Sequence, residues 1–270
     1  MKITFLGGGN MANALIGGLL NNGFPASEIA AIEIGAENRA NLEKTFGIRC
    51  FAEPDETALH CDALVLAVKP QQMRDACVPL QKYMKQQLVI SVAAGLRLGD
   101  LSRWLGGHDK LVRVMPNTPA LIGAGVTGLY ALPTVSEAER LGADRIMHAV
   151  GSTVWVNEES QIDALTAVSG SGPAYVFLFI EALQQAASEL GFSPRQARQL
   201  SIETVLGASR LASLSEEPAS VLRERVTSKG GTTEAALRVM TERGLKEAIM
   251  DGIKAASARG AELGEILGKD

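Results

Sequence analysis

One short segment combines glycines, hydroxyl side chains and a helix start in a spacing that suits an anion. Thr227–Thr233 reads Thr-Ser-Lys-Gly-Gly-Thr-Thr and runs directly into a helix-forming stretch that begins at Glu234. Two adjacent glycines let the backbone turn tightly and approach a ligand, because no Cβ stands in the way. The N–H groups of a helix start and the nearby hydroxyls then face one small space. An N-capped turn without a ligand has the same residue types. If the anion site is present, it is formed by Ser228, Gly230, Gly231, Thr232 and Thr233.

A glycine-rich turn near the start of the chain has the spacing of a dinucleotide-binding loop. The turn follows an apolar strand, opens a helix and fits the pattern G-x-G-x-x-A. The first glycine allows a tight turn, the second lets a pyrophosphate approach, and the alanine lets helix and strand pack closely. We therefore predict a cofactor loop formed by Gly7, Gly8, Gly9, Asn10, Met11 and Ala12.

Three further turns follow predicted strands and belong at the same edge of the sheet, where open α/β sheets bind ligands. Two of them carry small residues or a rigid proline where a dinucleotide would pass, and the third carries an asparagine. Asn117 offers both a donor and an acceptor, which suits a carboxamide such as that of nicotinamide. A solvated surface lysine is an equally good interpretation of Lys69. The predicted cofactor contacts from these turns are Ala67, Val68, Lys69, Pro70, Ala93, Gly95 and Asn117.

The residues after the second strand leave the choice of nicotinamide cofactor open. Glu33 lies where an acidic side chain usually binds the ribose 2′-hydroxyl of NAD(H). Asn38 and Arg39 follow closely, and an arginine there can hold the 2′-phosphate of NADP(H).

The elements around these turns alternate between strand and helix patterns. Such alternation predicts an α/β Rossmann-like, doubly wound parallel sheet with helices on both faces. After Asn157 the pattern becomes entirely helical, which predicts a Rossmann-like domain over 1–157 and an all-α domain over 158–270. The predicted strands are Lys2–Leu6, Ile29–Ile34, Ala63–Val68, Leu88–Ala93, Leu111–Met115, Gly125–Ala131 and Thr153–Val156. The predicted helices of the first domain are Met11–Leu20, Glu37–Phe46, Gln71–Tyr83, Arg97–Leu105 and Ser136–Val150.

Composition excludes several classes of protein. A net charge of −4 without long runs of like charge gives no support for nucleic-acid or membrane-surface binding. Cys50, Cys61 and Cys77 lack a CxxC spacing, so we expect reduced thiols in a cytoplasmic protein and no zinc site. No signal peptide is visible. The apolar helix Ala174–Leu190 carries Glu181 and two glutamines, which favours a buried core or interface helix over a membrane span.

Five motifs together resemble the pyrroline-5-carboxylate reductase family. They are GGGNMA, LAVKPQ, RVMPNTPA, AVSGSGPAYVF and VTSKGGTTEAAL, and they occur in order along nearly the whole chain. The resemblance implies reduction of 1-pyrroline-5-carboxylate, a cyclic imino acid, to L-proline with NADP(H) and often also NAD(H). It also implies a helical C-terminal domain that dimerises, with dimers often assembling further. One position departs from the family pattern TSPGGTT, because Lys229 stands where the proline is usual.

The resemblance assigns the Thr227–Thr233 segment to the substrate. The N–H groups of Gly230 to Thr233 and the hydroxyl of Ser228 are expected to bind the substrate carboxylate. Thr233 is the predicted catalytic residue, with its hydroxyl bonded to the ring nitrogen. His60, His108 and His148 lie outside the motifs and are expected to be surface or structural residues. Asp163 is expected to be a cap or a salt-bridge partner, not a base.

Two other functions share part of these sequence features. A β-hydroxyacid dehydrogenase also joins a Rossmann domain to a helical one, but it needs an interdomain lysine. No Lys or Arg occurs from Ile146 to Pro194, which argues against that class. A non-catalytic dinucleotide sensor would need the glycine loop but not the hydroxyl-rich segment, and both are intact here.

Overall fold

The computed structural model describes residues 1–269 and divides into two compact units. The first unit contains residues 1–171 and the segment from Ala256 onward, and the second is Gly172–Ala255. The predicted domains instead divide the chain after residue 157. The observed units differ from the predicted domains because Arg113, a buried arginine of the sheet, pairs with Asp163. This pair holds the segment after residue 157 in the first unit.

The first unit is built on one eight-stranded sheet. Its spatial order is β3-β2-β1-β4-β5-β6-β7-β8. Strands β1 to β6 are parallel, β7 is antiparallel to β6, and β8 is parallel to β7. The order of the first six strands is that of a dinucleotide-binding fold, which confirms the predicted class. The strands are β1 (Ile3–Leu6), β2 (Ile29–Ile32), β3 (Arg49–Phe51), β4 (Ala63–Leu66), β5 (Leu88–Ser91), β6 (Leu111–Met115), β7 (Gly125–Ala131) and β8 (Gly151–Trp155).

Helices cover both faces of this sheet. On one face, Phe5, Ile16 and Ile146 belong to one buried cluster. On the other face, Leu66 and Leu101 belong to a second buried cluster. The α-helices that lie wholly within the first unit are α1 (Asn10–Asn21), α2 (Ala36–Phe46), α3 (Met73–Cys77), α4 (Leu98–Trp104), α5 (Glu137–His148) and α6 (Ser160–Leu165).

One helix prediction was wrong. The stretch Gln71–Tyr83 is not one helix but a 3-10 turn at Pro70–Gln72, the short α3, and a second 3-10 turn at Val78–Tyr83. Pro79 explains the change, because a proline has no N–H to continue an α-helical ladder. The break predicted at Gly170–Pro173 is confirmed, with a π-helical turn at Thr166–Gly170 just before it.

The second unit is entirely helical, as predicted. Its helices are α7 (Gly172–Glu189), α8 (Pro194–Leu214), α9 (Ala219–Arg225), α10 (Thr232–Glu242) and α11 (Leu245–Leu267), and α11 continues into the first unit. Helix α7 has no buried residue within the chain, so the expectation of a buried core helix was wrong and the interface interpretation remains. Its exposed apolar side chains include Val176, Phe177, Leu178 and Phe179, at 44%, 65%, 66% and 45% exposure.

The stretch Ser160–Glu189 is long and apolar enough to cross a membrane, judged by length and composition alone. One such stretch is weak support for a membrane span, because helices of soluble proteins can meet the same criterion of length and composition.

Candidate active site

The loop between β1 and α1 requires glycine at its first position. Gly7 has a φ of +96°, a conformation that other residues rarely adopt. A Cβ on Gly7 would lie 2.9 Å from Val68 Cγ1 and 3.0 Å from the carbonyl oxygen of Ala67. The loop is therefore packed directly on the turn that follows β4, which brings two of the predicted cofactor turns together.

Gly9 has a different role at the start of α1. It is the N-cap residue, with extended backbone and no side-chain cap. A Cβ there would meet no protein atom within 4 Å, so glycine leaves the approach to the helix start open. The N–H groups of Asn10, Met11 and Ala12 have no acceptor within the helix, and Ala12 is fully buried. This cradle fits a pyrophosphate.

The turns after β4 and β5 lie at the same edge of the sheet. Ala67 N donates to Leu6 O at 2.8 Å, while Lys69 is exposed and precedes the 3-10 turn at Pro70. Ala93 is 4% exposed. Gly95 has a φ of +78° and faces Leu267, since a Cβ on Gly95 would lie 3.2 Å from Leu267 Cδ1. The last turns of α11 thus cover the β5–α4 turn.

Asn117 is committed to contacts within the protein. Its Nδ2 donates to Ser169 O at 3.1 Å and its Oδ1 accepts from Val126 N at 2.9 Å. The residue is only 8% exposed. These bonds tie the end of β6 to β7 and to the π-helical turn, and a contact with the carboxamide of a cofactor stays a prediction.

Glu33 lies immediately after β2 and binds the glycine loop. Its Oε2 accepts from Gly8 N at 2.9 Å and from Asn38 Nδ2 at 3.0 Å, and its Oε1 accepts from Gly35 N at 2.8 Å. Burial raises the pKa of this carboxyl, but the hydrogen bonds and the nearby Arg39 outweigh it and hold the pKa below its usual value. The carboxylate is therefore ionised at neutral pH.

In the second unit, the segment Thr227–Thr233 forms a tight turn at the start of α10. Gly230 has a φ of +74°, and Gly231 is the N-cap residue of α10. Gly231 N donates to Ser228 O at 3.0 Å. Gly230 N donates to Glu234 Oε2 at 2.7 Å.

These contacts distinguish two kinds of N–H group in the predicted carboxylate site, whose contact with a substrate stays a prediction. The N–H groups of Gly230 and Gly231 already have acceptors within the turn. The N–H groups of Thr232 and Thr233, in the first turn of the helix, have no acceptor within it. Lys229 and Ser228 are exposed and Thr233 is half-buried.

Two contacts of these regions were not predicted from the sequence. The bond from Gly230 to Glu234 depends on a side-chain rotamer, for which the sequence gives no signal. Arg113 is 2% exposed and bonds Asp163 Oδ1 at 2.5 Å through Nη2. An arginine within an apolar strand was a signal for a buried ion pair. The expected role of Asp163 as a salt-bridge partner is confirmed.

The three histidines and three cysteines lie where surface or structural residues are expected. His108 Nε2 lies 2.8 Å from Gln87 O, and burial lowers its pKa. His60 and His148 are exposed. All three cysteines are free, and burial raises the pKa of Cys50 to about 11 and that of Cys77 to about 12. Among residues 1–269, no cluster of three metal-ligating side chains occurs.

Two family models match the two parts of the chain. A model described as pyrroline-5-carboxylate reductase dimerisation matches residues 159–263. A model described as NADP oxidoreductase, coenzyme F420-dependent, matches residues 2–95. The first supports oligomer formation by the helical region, and the second supports use of NADP(H).

Relatives with known names match along nearly the full length. A pyrroline-5-carboxylate reductase of Pseudomonas aeruginosa is 45% identical over 99% of this chain and 98% of its own. The solved pyrroline-5-carboxylate reductase of Coxiella burnetii is 41% identical, with a TM-score of 0.93, covering 97% of this chain and 98% of its own. The Plasmodium falciparum structure with NADP bound is 29% identical, with a TM-score of 0.86 and 98% of both chains covered. This chain therefore belongs to the pyrroline-5-carboxylate reductase family.

Proposed function

We propose that the chain reduces 1-pyrroline-5-carboxylate to L-proline, as the last step of proline biosynthesis. Support comes from the named relatives and from the glycine-rich turn before α10. The turn at Gly230 and Gly231 carries the proposal, because it leaves the N–H groups of Thr232 and Thr233 without helical acceptors beside the Thr233 hydroxyl.

NADP(H) fits the edge of the sheet described above. In the proposal, the N–H groups at the start of α1 hold its pyrophosphate, and the turns at Ala67–Pro70 and Ala93–Gly95 border it. When bound, the reduced cofactor supplies a hydride. Gly7 lets the loop pack on the turn after β4, because a Cβ there would clash with Val68 and Ala67. Gly9 lets the backbone approach the cofactor closely, because no side chain fills the open space beside it.

The substrate carboxylate needs several hydrogen bonds. Burying it unpaired would be very costly, while a helix start contributes only about 0.3–2 kcal/mol. Bonds to a charged group contribute about 1.5–3 kcal/mol each. We assign the N–H groups of Thr232 and Thr233 and the Ser228 hydroxyl to this carboxylate. Gly230 and Gly231 shape the turn, because their own N–H groups are already bonded within it.

Thr233 is assigned to the ring nitrogen. A protonated cyclic imine is already electrophilic, so the reaction does not require a strong acid. The Thr233 hydroxyl oxygen accepts from the protonated nitrogen and fixes the ring. As the C=N carbon gains hydride, the π electrons move to nitrogen, which becomes the secondary amine of proline.

Replacing Thr233 tests this role. We expect Thr233→Ala to lower kcat/KM for 1-pyrroline-5-carboxylate at least tenfold, because a bond to the reacting ring is lost. Thr233→Ser keeps the hydroxyl and is expected to retain most activity. Thr241→Ala, an exposed threonine on the same helix, is the control. A change within about twofold for Thr233→Ala, worth only about 0.4 kcal/mol, would contradict the role.

The proposal includes a homodimer that assembles further and works in the cytoplasm. The exposed apolar side chains of α7 support self-association, because large exposed apolar patches mark interaction surfaces. Free thiols are typical of a reducing compartment.

A further inference from the structure

The end of β2 carries a fixed negative charge beside the glycine loop. Both oxygens of Glu33 accept backbone N–H groups, Oε2 from Gly8 and Oε1 from Gly35. A Cβ on Gly8 would lie 3.1 Å from Glu33 Oε2 and 2.6 Å from Leu42 Cδ1. Glycine at position 8 therefore lets the carboxylate reach the loop backbone, and the carboxylate is held in one place.

The neighbouring cation is turned toward the backbone. Arg39 Nη1 donates to Glu33 O at 2.7 Å and to Ile34 O at 2.8 Å. One nitrogen of Arg39 thus bonds two backbone carbonyls at the end of β2. The residue next to Glu33 in the turn is Ile34, an apolar side chain that is 83% exposed. The turn therefore offers a carboxylate and an apolar group, with Arg39 partly engaged.

In folds of this type, the residue after the second strand faces the ribose 2′ position of the cofactor, where an acid binds a hydroxyl and an arginine binds a phosphate. We propose that Glu33 is the specificity-determining residue of this chain, and that it lets NAD(H) bind at least as tightly as NADP(H). The inference rests on the proposed use of a nicotinamide cofactor at this edge.

The chemistry behind the preference is simple. A fixed carboxylate accepts a hydrogen bond from a ribose hydroxyl, whereas it repels a phosphate dianion at close range. Arg39 reduces that repulsion, but its Nη1 is already bonded to the carbonyls of Glu33 and Ile34. NADP(H) therefore still binds, and the 2′-phosphate adds no affinity.

The test measures binding of NADPH and NADH separately, with the purified full chain and no substrate. Quenching of protein fluorescence gives Kd for the wild type, for Glu33→Gln and for Glu37→Gln. Glu37 is an exposed carboxylate in the first turn of α2, so its replacement makes the same charge change without touching Gly8. For the wild type we expect the Kd of NADPH to equal or exceed that of NADH.

Glu33→Gln is expected to tighten NADPH binding at least tenfold while NADH binding changes less than threefold. Glu37→Gln is expected to change the ratio of the two constants less than twofold. The wild-type ratio needs no variant, so the test stands even if Glu33→Gln folds poorly.

Several results would overturn the inference. One is a wild-type Kd for NADPH that is tenfold below that for NADH. A second is a ratio of the NADPH and NADH dissociation constants in Glu33→Gln that stays within twofold of the wild-type ratio. A third is a folded Glu33→Gln protein that loses affinity for both cofactors equally, because Glu33 would then only support the loop. Steady-state reduction of 1-pyrroline-5-carboxylate with each cofactor tests the proposed function separately from the cofactor preference. No activity with either cofactor would contradict the function, while the ratio of the two dissociation constants could still be measured.

Discussion

Two carboxylate side chains of this chain bind the backbone of the two glycine-rich turns. Glu33 holds the N–H of Gly8, and Glu234 holds the N–H of Gly230. In both cases a carboxylate fixes a glycine whose conformation would otherwise be free. Residue types alone identified the two glycine loops, because glycine spacing is visible in the sequence. The carboxylates that fix them were not identified as such, because their partners depend on rotamers.

Replacing Glu234 tests the second of these contacts. Glu234→Ala frees the Gly230 N–H and loosens the turn, so substrate binding must order it. A hydrogen bond of about 0.5–1 kcal/mol corresponds to a rise in KM of about threefold, with kcat changing less. Glu234→Gln keeps an acceptor for the Gly230 N–H, so its KM is expected to stay close to the wild-type value. Glu242→Ala, at the other end of α10, is the control. A lower KM in Glu234→Ala would mean that the carboxylate competes with substrate.

At the scale of elements, the apolar strands were the most predictable part. Five buried strands of the parallel sheet and the antiparallel β7 follow the predicted segments closely, because continuous apolar runs are visible in the sequence. Strand β3 was missed since Arg49–Phe51 is only three residues long and none of them is buried. The β8 strand begins at Gly151 and not at the predicted Thr153.

The packing of α6 against the sheet depends on one buried ion cluster. Arg113 bonds Asp163 and lies 3.5 Å from Glu159. Glu159 Oε1 also accepts from Leu98 N at 2.7 Å, so the cluster reaches the start of α4. Arg113 Nε is buried without a hydrogen-bond partner. The cluster therefore joins three elements, and removing the Arg113 guanidinium would leave the carboxylates of Glu159 and Asp163 without this partner.

Arg113→Met is expected to lower the free energy of unfolding by about 3–5 kcal/mol, because breaking a buried pair leaves uncompensated charge. Urea titration at a fixed protein concentration measures this value. Lys254→Met removes the exposed pair with Asp251, whose side chains are 70% and 72% exposed, and is expected to change stability within about 0.5 kcal/mol. Equal effects of the two replacements would contradict this account.

For the whole molecule, the main feature is the contrast between the two units. The first unit contains nearly all of the buried hydrophobic residues, in two clusters on the faces of its sheet. The second unit leaves large apolar side chains exposed along α7 and α8. Since the dimerisation model matches residues 159–263, we expect a second copy to cover these side chains. No pattern within one sequence shows which residues of the copy do so.

A charge on α7 is expected to weaken assembly. Phe177→Glu places a carboxylate on a side chain that is 65% exposed in the single chain and that the proposed dimer would bury. Light scattering after gel filtration at micromolar protein is expected to show a smaller species than the wild type. Leu141→Glu, at 62% exposure on α5, is the control and is expected to keep the wild-type mass. An unchanged mass for Phe177→Glu would place the interface elsewhere.

The path of α11 has a consequence for the order of folding. This helix begins in the second unit, but from Ala256 onward it belongs to the first, where Leu267 packs near Gly95 and Arg103 bonds Gly268 O at 2.9 Å. Domains of nascent chains generally fold in turn from the N-terminus. The nucleotide-binding unit of this protein cannot be completed in that way, because its last piece is synthesised after the whole helical unit. On the ribosome, the β5–α4 turn therefore stays uncovered until the segment from Ala256 onward has been synthesised.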